Sequence, residues 1–334
     1  MAQLKTRYMG CELQNPIIAG ASSLTSNINS IRKIEEAGAG AIVTASLFEE
    51  QIQLERFKME EELHRNDHLH AEMITIFPDL KHSGPEEHLM WVRKAKESIG
   101  IPVFGSLNAV SRETWVEYSK SLAETGVDGI ELNFYASPRD FSDGGVDIET
   151  EQLEIIREIR KNLTIPIGVK LSPFYSNPLS FIRQLDQIGV DGFVLFNRFF
   201  QPDIDVEGER NIYPFNYSSE GDYRLPLRFA GLLYGNVKAG ICGSTGLMSG
   251  ADVIKMILAG ADCVQLVSVL YKKKVSVISS LLKEIEQWMD SKGYTSLQEV
   301  RGKLSRGKSK DPSAYTRAQY ARLLLHPEKL FAGR

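Results

Sequence analysis

Lys170 lies inside IPIGVKLSPF, an apolar, β-branched run that reads as a buried strand. A buried ammonium is costly unless it is paired. At the mouth of a barrel such a group offers a fixed cation to a phosphate, an enolate or a reduced flavin. In a purely structural role it would instead snorkel to the rim or pair with a buried acid such as Glu131. Asn133 closes GIELN and Asn197 closes FVLFN. Two carboxamides at equivalent strand ends can each donate to and accept from a heterocyclic edge, or can tie adjacent loops together. The stretch AGICGSTG (239–246) is rich in small residues, which lets backbone N–H groups face an anion, and QLVS (265–268) at the end of the next strand is placed to join it.

Other chemistries find less support. His64 and His68 in HRNDHLH are spaced for one helix face, and His70 follows, but no third-ligand pattern accompanies them, so a solvated charged helix is expected and no metal. There is no G-x-S-x-G elbow, and every histidine falls outside the strand ends, so Ser/His/Asp hydrolysis finds no support. The three cysteines, Cys11, Cys242 and Cys263, are odd in number and widely spaced. They argue against a disulfide framework and against an iron–sulfur or zinc site within the chain, and the expected compartment is the reducing cytoplasm.

The elements that must position these groups are eight short strands over 17–19, 41–44, 103–106, 129–133, 167–171, 192–196, 237–241 and 263–267. Several lack in/out alternation, as parallel strands buried on both faces do. The phrases EAGAGAI, ETGVDGI, QIGVDGF and LAGADCV repeat one pattern: a helix ends at glycine, a short turn follows, and a strand begins. Strands alternating with helices predict a single (β/α)8 TIM barrel. The doubly wound alternative lacks its G-x-G-x-x-G after the first strand, where the chain reads AGASSLTSN. In the barrel, Gly20, Ala21, Thr44, Ser46, Ser106 and Asn108 join the two asparagines at the C-terminal strand ends, where barrel active sites are built. Two long connections, 46–90 and 198–228, would sit at that mouth, the first charged and helix-prone, the second rich in aromatics. A hairpin over 6–8 and 11–13 would close the barrel bottom, and 275–290 reads as a long helix. The expected domain is 1–302, with 303–334 a basic tail packed on it or extending from it.

The 334 residues include 39 basic and 43 acidic side chains, 43% hydrophobic and 25% charged residues. This is an ordinary globular composition. Nothing in the mild net charge of −4 or its distribution calls for nucleic acid. No signal peptide or membrane-spanning run is read.

Taken together, NPIIAGAS after a hairpin, GIELNF, IPIGVKLSPF, LFNRF and AGADCVQLVSVLY resemble the dihydroorotate dehydrogenase family from about Tyr8 to Gly302. The likeness is to its cytosolic class 1 type, because the membrane-docking helices of class 2 are absent. LFNRFFQPDID and DPSAY are similar to a divergent, dehydrogenase-like branch. The resemblance implies an FMN-binding barrel and a homodimer. Gly20 and Ala21 would lie along the flavin and Ser46 near its edge. Asn133 and Lys170 would contact its ring, with Lys170 catalytic in stabilising negative charge at N1/O2. Asn197 would line the substrate face, with Arg198 next to it. Gly243, Ser244, Val267 and Ser268 would hold the phosphate.

The chain departs from the family pattern on the substrate side. The lysine of the family's T-K-S motif is Ala45 here, and its N-S-M-G-L-P-N loop is replaced by FPDLKHSGPEEH. The N-x-S-C-P-N motif reads NFYASPR from Asn133. Without a gap the catalytic base falls on Ala136; with one extra residue it falls on Ser137. Arg198, with Arg224 or Arg228, could clamp a carboxylate. The expected function is therefore FMN-dependent oxidation of dihydroorotate, in pyrimidine biosynthesis, or of another small carboxylate. Two other readings are a non-catalytic flavoprotein or electron-transfer subunit, whose partner carries the iron–sulfur cluster, and a flavin-free phosphate-binding lyase or isomerase using Lys170.

Overall fold

The computed structural model describes residues 2–54, 85–135, 141, 144–199, 201–215 and 217–325. The chain opens with an antiparallel hairpin, β1 (Thr6–Tyr8) and β2 (Cys11–Leu13). There follow β3 (Ile17–Ala19), β4 (Ala41–Val43), a short β5 (Leu47–Phe48), β6 (Val103–Asn108), β7 (Gly129–Asn133), β8 (Ile167–Leu171) and β9 (Gly192–Leu195). A second hairpin, β10 (Asp203–Asp205) with β11 (Arg210–Ile212), interrupts the series before β12 (Gly240–Ser244) and β13 (Cys263–Leu266). Eight parallel strands run in the order β4-β3-β13-β12-β9-β8-β7-β6, and the β4–β6 pairing closes the ring. This is the predicted (β/α)8 barrel with its N-terminal hairpin.

The recurrent glycine–aspartate phrases have a physical basis. Gly38, Gly126, Gly189 and Gly260 all have positive φ (94°, 85°, 102° and 135°), which glycine adopts without a Cβ penalty. The aspartate that follows in three of the phrases stitches one strand to its neighbour. Asp128 accepts from Val103 N at 2.7 Å, Asp191 from Ile167 N at 2.9 Å and Asp262 from Ile241 N at 2.8 Å. Lys96, Arg160 and Arg301 pair with these three carboxylates from the outer layer. Side chains cap the helix starts: Asn27, Ser111, Asn177 and Ser249 each accept from a first-turn N–H, which satisfies donors the helix cannot.

Two apolar clusters result. The outer one lies between strands and helices. The smaller one fills the barrel interior and includes Ile18, Ala41, Val43, Phe104, Val194, Cys242 and Cys263, with Tyr8 and Met9 reaching in from the hairpin. Glycines make room for these two. A Cβ would meet Met9 at 2.9 Å from Gly129 and at 2.7 Å from Gly168, and Tyr8 at 2.7 Å from Gly192 and at 2.8 Å from Gly240.

The seventh barrel strand corrects its expected position. It spans Gly240–Ser244 rather than 237–241. Val237 is β-branched and invites a strand, but the N–H groups of Lys238 and Ala239 both donate to Asp186 Oδ1 at 2.8 Å, so they are unavailable to a ladder. Pairing starts with Gly240 against Gly192. At the C-terminal side, Leu304 N donates to Leu258 O and Arg306 N to Gly231 O, both at 2.9 Å, and Tyr315 packs on Gly231. Residues 303–315 thus lie against the helices Arg224–Leu233 and Gly250–Ala259.

Candidate active site

A cavity of about 370 Å³ opens at the C-terminal mouth of the barrel, within the size range of small-molecule sites. Lys170 and Gln265 reach it from β8 and β13. Lys170 is 7% exposed and Glu131, on β7, 1%. The ammonium donates to Gln265 Oε1 at 3.3 Å and stands 3.9 Å from Glu131 Oε1. Gln265 Nε2 in turn donates to Glu131 Oε2 in a very short contact. Burial pushes the Glu131 carboxyl above its ordinary value, and Lys170 and the Gln265 amide pull it back down.

Asn133 lies one strand away, on the β7 side of the mouth. Its Nδ2 donates to Ser106 Oγ at 2.8 Å and to Leu107 O at 3.2 Å, with Ser46 Oγ at 3.5 Å. The two serine hydroxyls are themselves 2.8 Å apart. Asn133 and Ser46 therefore form one polar network from three strand ends, beside the cavity rather than on its wall. Asn197 lines the cavity and is held by its own N–H, which donates to Leu171 O at 2.8 Å. Arg198 lines it as well and pairs with Asp222 at 2.7 Å. Of the two arginines expected to join Arg198, Arg228 donates to Tyr315 O at 2.9 Å and Arg224 is exposed on its helix.

The loop after β12 turns sharply, with Thr245 at φ 73° and Gly246 at φ 75°. Thr245 Oγ1 donates to Phe196 O at 3.1 Å, and Gly246 lies so close to Tyr223 N that a Cβ would meet it at 2.6 Å. Ser244, Thr245 and Gly246 line the cavity, as do Val267 and Ser268 after the neighbouring strand β13. The Ser268 hydroxyl accepts from Ser218 N at 3.0 Å, which ties the long mouth loop to the end of β13. Ala21 lines the cavity too. Gly20 does not, but it leaves space for its neighbours, since a Cβ there would meet Val267 at 2.8 Å and Gln265 Oε1 at 3.3 Å. Gly243 faces outward to Met256 of the helix Gly250–Ala259. Ser137 and Ala136, like His64, His68 and His70, lie outside the described residues.

Two features escaped the sequence. Gln265 bridges the buried charges, whereas the sequence marked it only as the first residue of a stretch expected to face an anion. The cavity also has an aromatic wall of Phe196, Phe199, Phe215, Tyr217 and Tyr271; the aromatic richness of 198–228 hinted at it without placing it. Among the described residues, no group of acids, histidines and cysteines could hold a metal ion, and no helix is long and apolar enough to cross a membrane.

Comparison with known proteins points to one family. Residues 77–289 match the family model described as dihydroorotate dehydrogenase. The chain is 26% identical over 315 residues to "Dihydroorotate dehydrogenase B (NAD(+)), catalytic subunit" of Thermoplasma acidophilum, covering 90% of this chain and 99% of that protein. It is also 26% identical over 325 residues to "Dihydroorotate dehydrogenase A (fumarate)" of Lactococcus lactis, covering 90% and 99%. A third relative, "Dihydroorotate dehydrogenase (fumarate)" of Lachancea kluyveri, is 29% identical over 232 residues, 62% of this chain and 70% of that protein. With a family match over more than half of its length, the chain belongs to the dihydroorotate dehydrogenase family.

Proposed function

We propose that the protein is an FMN-dependent dehydrogenase acting on a carbon–carbon single bond of a small carboxylate, with dihydroorotate the first compound to test. The observation that carries this reading is the buried ammonium of Lys170 at the floor of a mouth cavity. Its far side is built from tight turns and hydroxyls, and its wall is aromatic. That donor set fits a flat heterocycle with one polar edge and a phosphate tail. A cation meets charge that develops on a ring, small-residue turns suit a phosphate, and aromatic side chains cover apolar ring surface.

When bound, FMN supplies the hydride acceptor for the oxidation. The chain's own residues do the rest. Lys170 holds positive charge against the ring edge. Asn133, kept in one orientation by Ser106 and Leu107 O, presents its remaining amide capacity to the mouth. Ser244, Val267 and Ser268 face the phosphate end, while Gly20 and Gly243 allow the close packing behind it and Ala21 flanks the ring. Asn197 and Arg198 border the substrate space, and the Arg198 guanidinium offers a charged donor to a carboxylate although it also engages Asp222. A base must remove the substrate proton, and Ser137 is the residue we assign to it.

The three cysteines, free among the described residues, suit a reducing compartment and leave any iron–sulfur relay to a partner subunit. The word "subunit" in the Thermoplasma relative's name is in keeping with that. The test is the visible spectrum of the purified protein, before and after anaerobic addition of dihydroorotate. A yellow protein bleached by dihydroorotate, with bleaching lost in Ser137→Ala, is the expected result. A colourless protein that takes up no added FMN overturns the reading.

A further inference from the structure

Glu131 is the most deeply buried charged group at the site, and it has no part in the reaction outlined above. Its Oε1 meets no hydrogen-bond donor among the described residues, although Lys170 Nζ is 3.9 Å away. Gln265 spans the two, with its amide N–H on Glu131 and its carbonyl receiving the ammonium proton. The three side chains come from β7, β8 and β13 and point into an interior otherwise filled by Val43, Phe104, Val194, Cys242 and Cys263. An apolar layer of the same volume is usually as stable as a buried ion pair, or more so. Stability therefore does not account for this carboxylate.

We propose that Glu131 is a positioning residue for Lys170: acting partly through Gln265, it fixes where the ammonium points and offsets its charge, and so sets how strongly the cavity favours negative charge on a bound flavin. This rests on the flavin reading of the same site. An ammonium has three donors. One goes to Gln265, the Glu131 side draws a second, and the remaining one is left for the cavity that Lys170 lines. The carboxylate and the ammonium together carry no net charge. The pair is thus a tempered cation, aimed by its buried partner.

The experiment compares the reduction midpoint of bound FMN in wild type, Glu131→Gln and Glu131→Asp, by dye-equilibrated reduction followed in the visible spectrum. Removing the carboxylate charge should favour reduced flavin at least tenfold, about 30 mV for a two-electron couple. Glu131→Asp, which keeps the charge, should stay within threefold of wild type. Should Glu131→Gln not fold, Gln265→Leu carries the test: the bridge is lost, and the FMN dissociation constant should rise at least fivefold with an unchanged far-ultraviolet spectrum. A yellow wild type in which Glu131→Gln leaves the midpoint unmoved or lowers it, or in which Gln265→Leu leaves FMN affinity intact, overturns this inference alone. A wild type that binds no FMN overturns the flavin reading and the inference with it.

Discussion

Replacing Lys170 by Met in the flavin-free protein should destabilise the fold by an amount that grows with pH. The substitution leaves Glu131, 1% exposed, without its counter-charge. Two outcomes compete. If the carboxyl stays ionised, it forfeits an attraction that at 3.9 Å and an effective dielectric of ~20 is worth about 4 kcal/mol. If it takes up a proton instead, the cost is about 1.4 kcal/mol for each pH unit above the ordinary carboxyl value, which is 4.5. At pH 6 that is about 2 kcal/mol, so protonation wins; near pH 8 it is about 5 kcal/mol and the two routes converge. The sign follows from burial, which already pushes this carboxyl upward. A raised acid favours the folded state below its unfolded value and loses that advantage as pH climbs. Urea unfolding followed by circular dichroism at pH 6, 7 and 8 should therefore show the gap to wild type widening by roughly 2 kcal/mol and then flattening. Adding Glu131→Gln to the variant should abolish the slope. A gap that is constant or narrows with pH would refute the account of the buried pair.

Three further outcomes follow from the geometry. Burial raises the Asp262 carboxyl to about 6 despite Arg301 and the Ile241 N–H. Relative to Asp262→Asn, wild type should therefore lose up to about 3 kcal/mol between pH 4 and pH 7, and chemical denaturation of the two proteins across that range is the check. Gly246→Ala places a Cβ 2.6 Å from Tyr223 N at a φ of 75°. It should cost at least about 2 kcal/mol in a denaturant titration and weaken FMN uptake; wild-type stability would contradict the turn described. The Tyr8 hydroxyl is buried with no hydrogen-bond partner among the described residues. Tyr8→Phe should be neutral or stabilising by about 1 kcal/mol, and a melting temperature several degrees lower would mean that the hydroxyl is satisfied after all.

The barrel was legible because its signals are local. Apolar runs buried on both faces mark parallel strands, and each glycine–aspartate phrase encodes its own positive-φ turn and strand clasp. The seventh strand was misplaced because Val237 has the side chain of a strand residue, while the Asp186 carboxylate that takes the neighbouring N–H groups lies 51 positions earlier. At the mouth, Lys170, Asn133 and Asn197 stood out as polar residues in or ending apolar strands, with Glu131 foreseen only as a structural partner for the lysine. Gln265 did not, because its role depends on facing β7 and β8 across the interior, which no neighbouring residue announces. The aromatic wall escaped for a similar reason. Residues 198–228 lack a period, so composition tells of rings without telling where they meet. Arg228 illustrates the opposite error, a plausible charge that helix geometry turns toward Tyr315.

The Tyr8–Met9 hairpin makes the barrel a vessel stoppered at its base. Glycines at or next to the first position of four strands seat the stopper, which packs Tyr8 and Met9 against them. The ionic pair meets its cavity at the opposite end, where Lys170 and Gln265 line the mouth. Any molecule settling there dries the chamber beneath it, and every charge inside grows more consequential at that moment. A stem at one end of the molecule thereby governs how sharply the opposite end responds to its occupant.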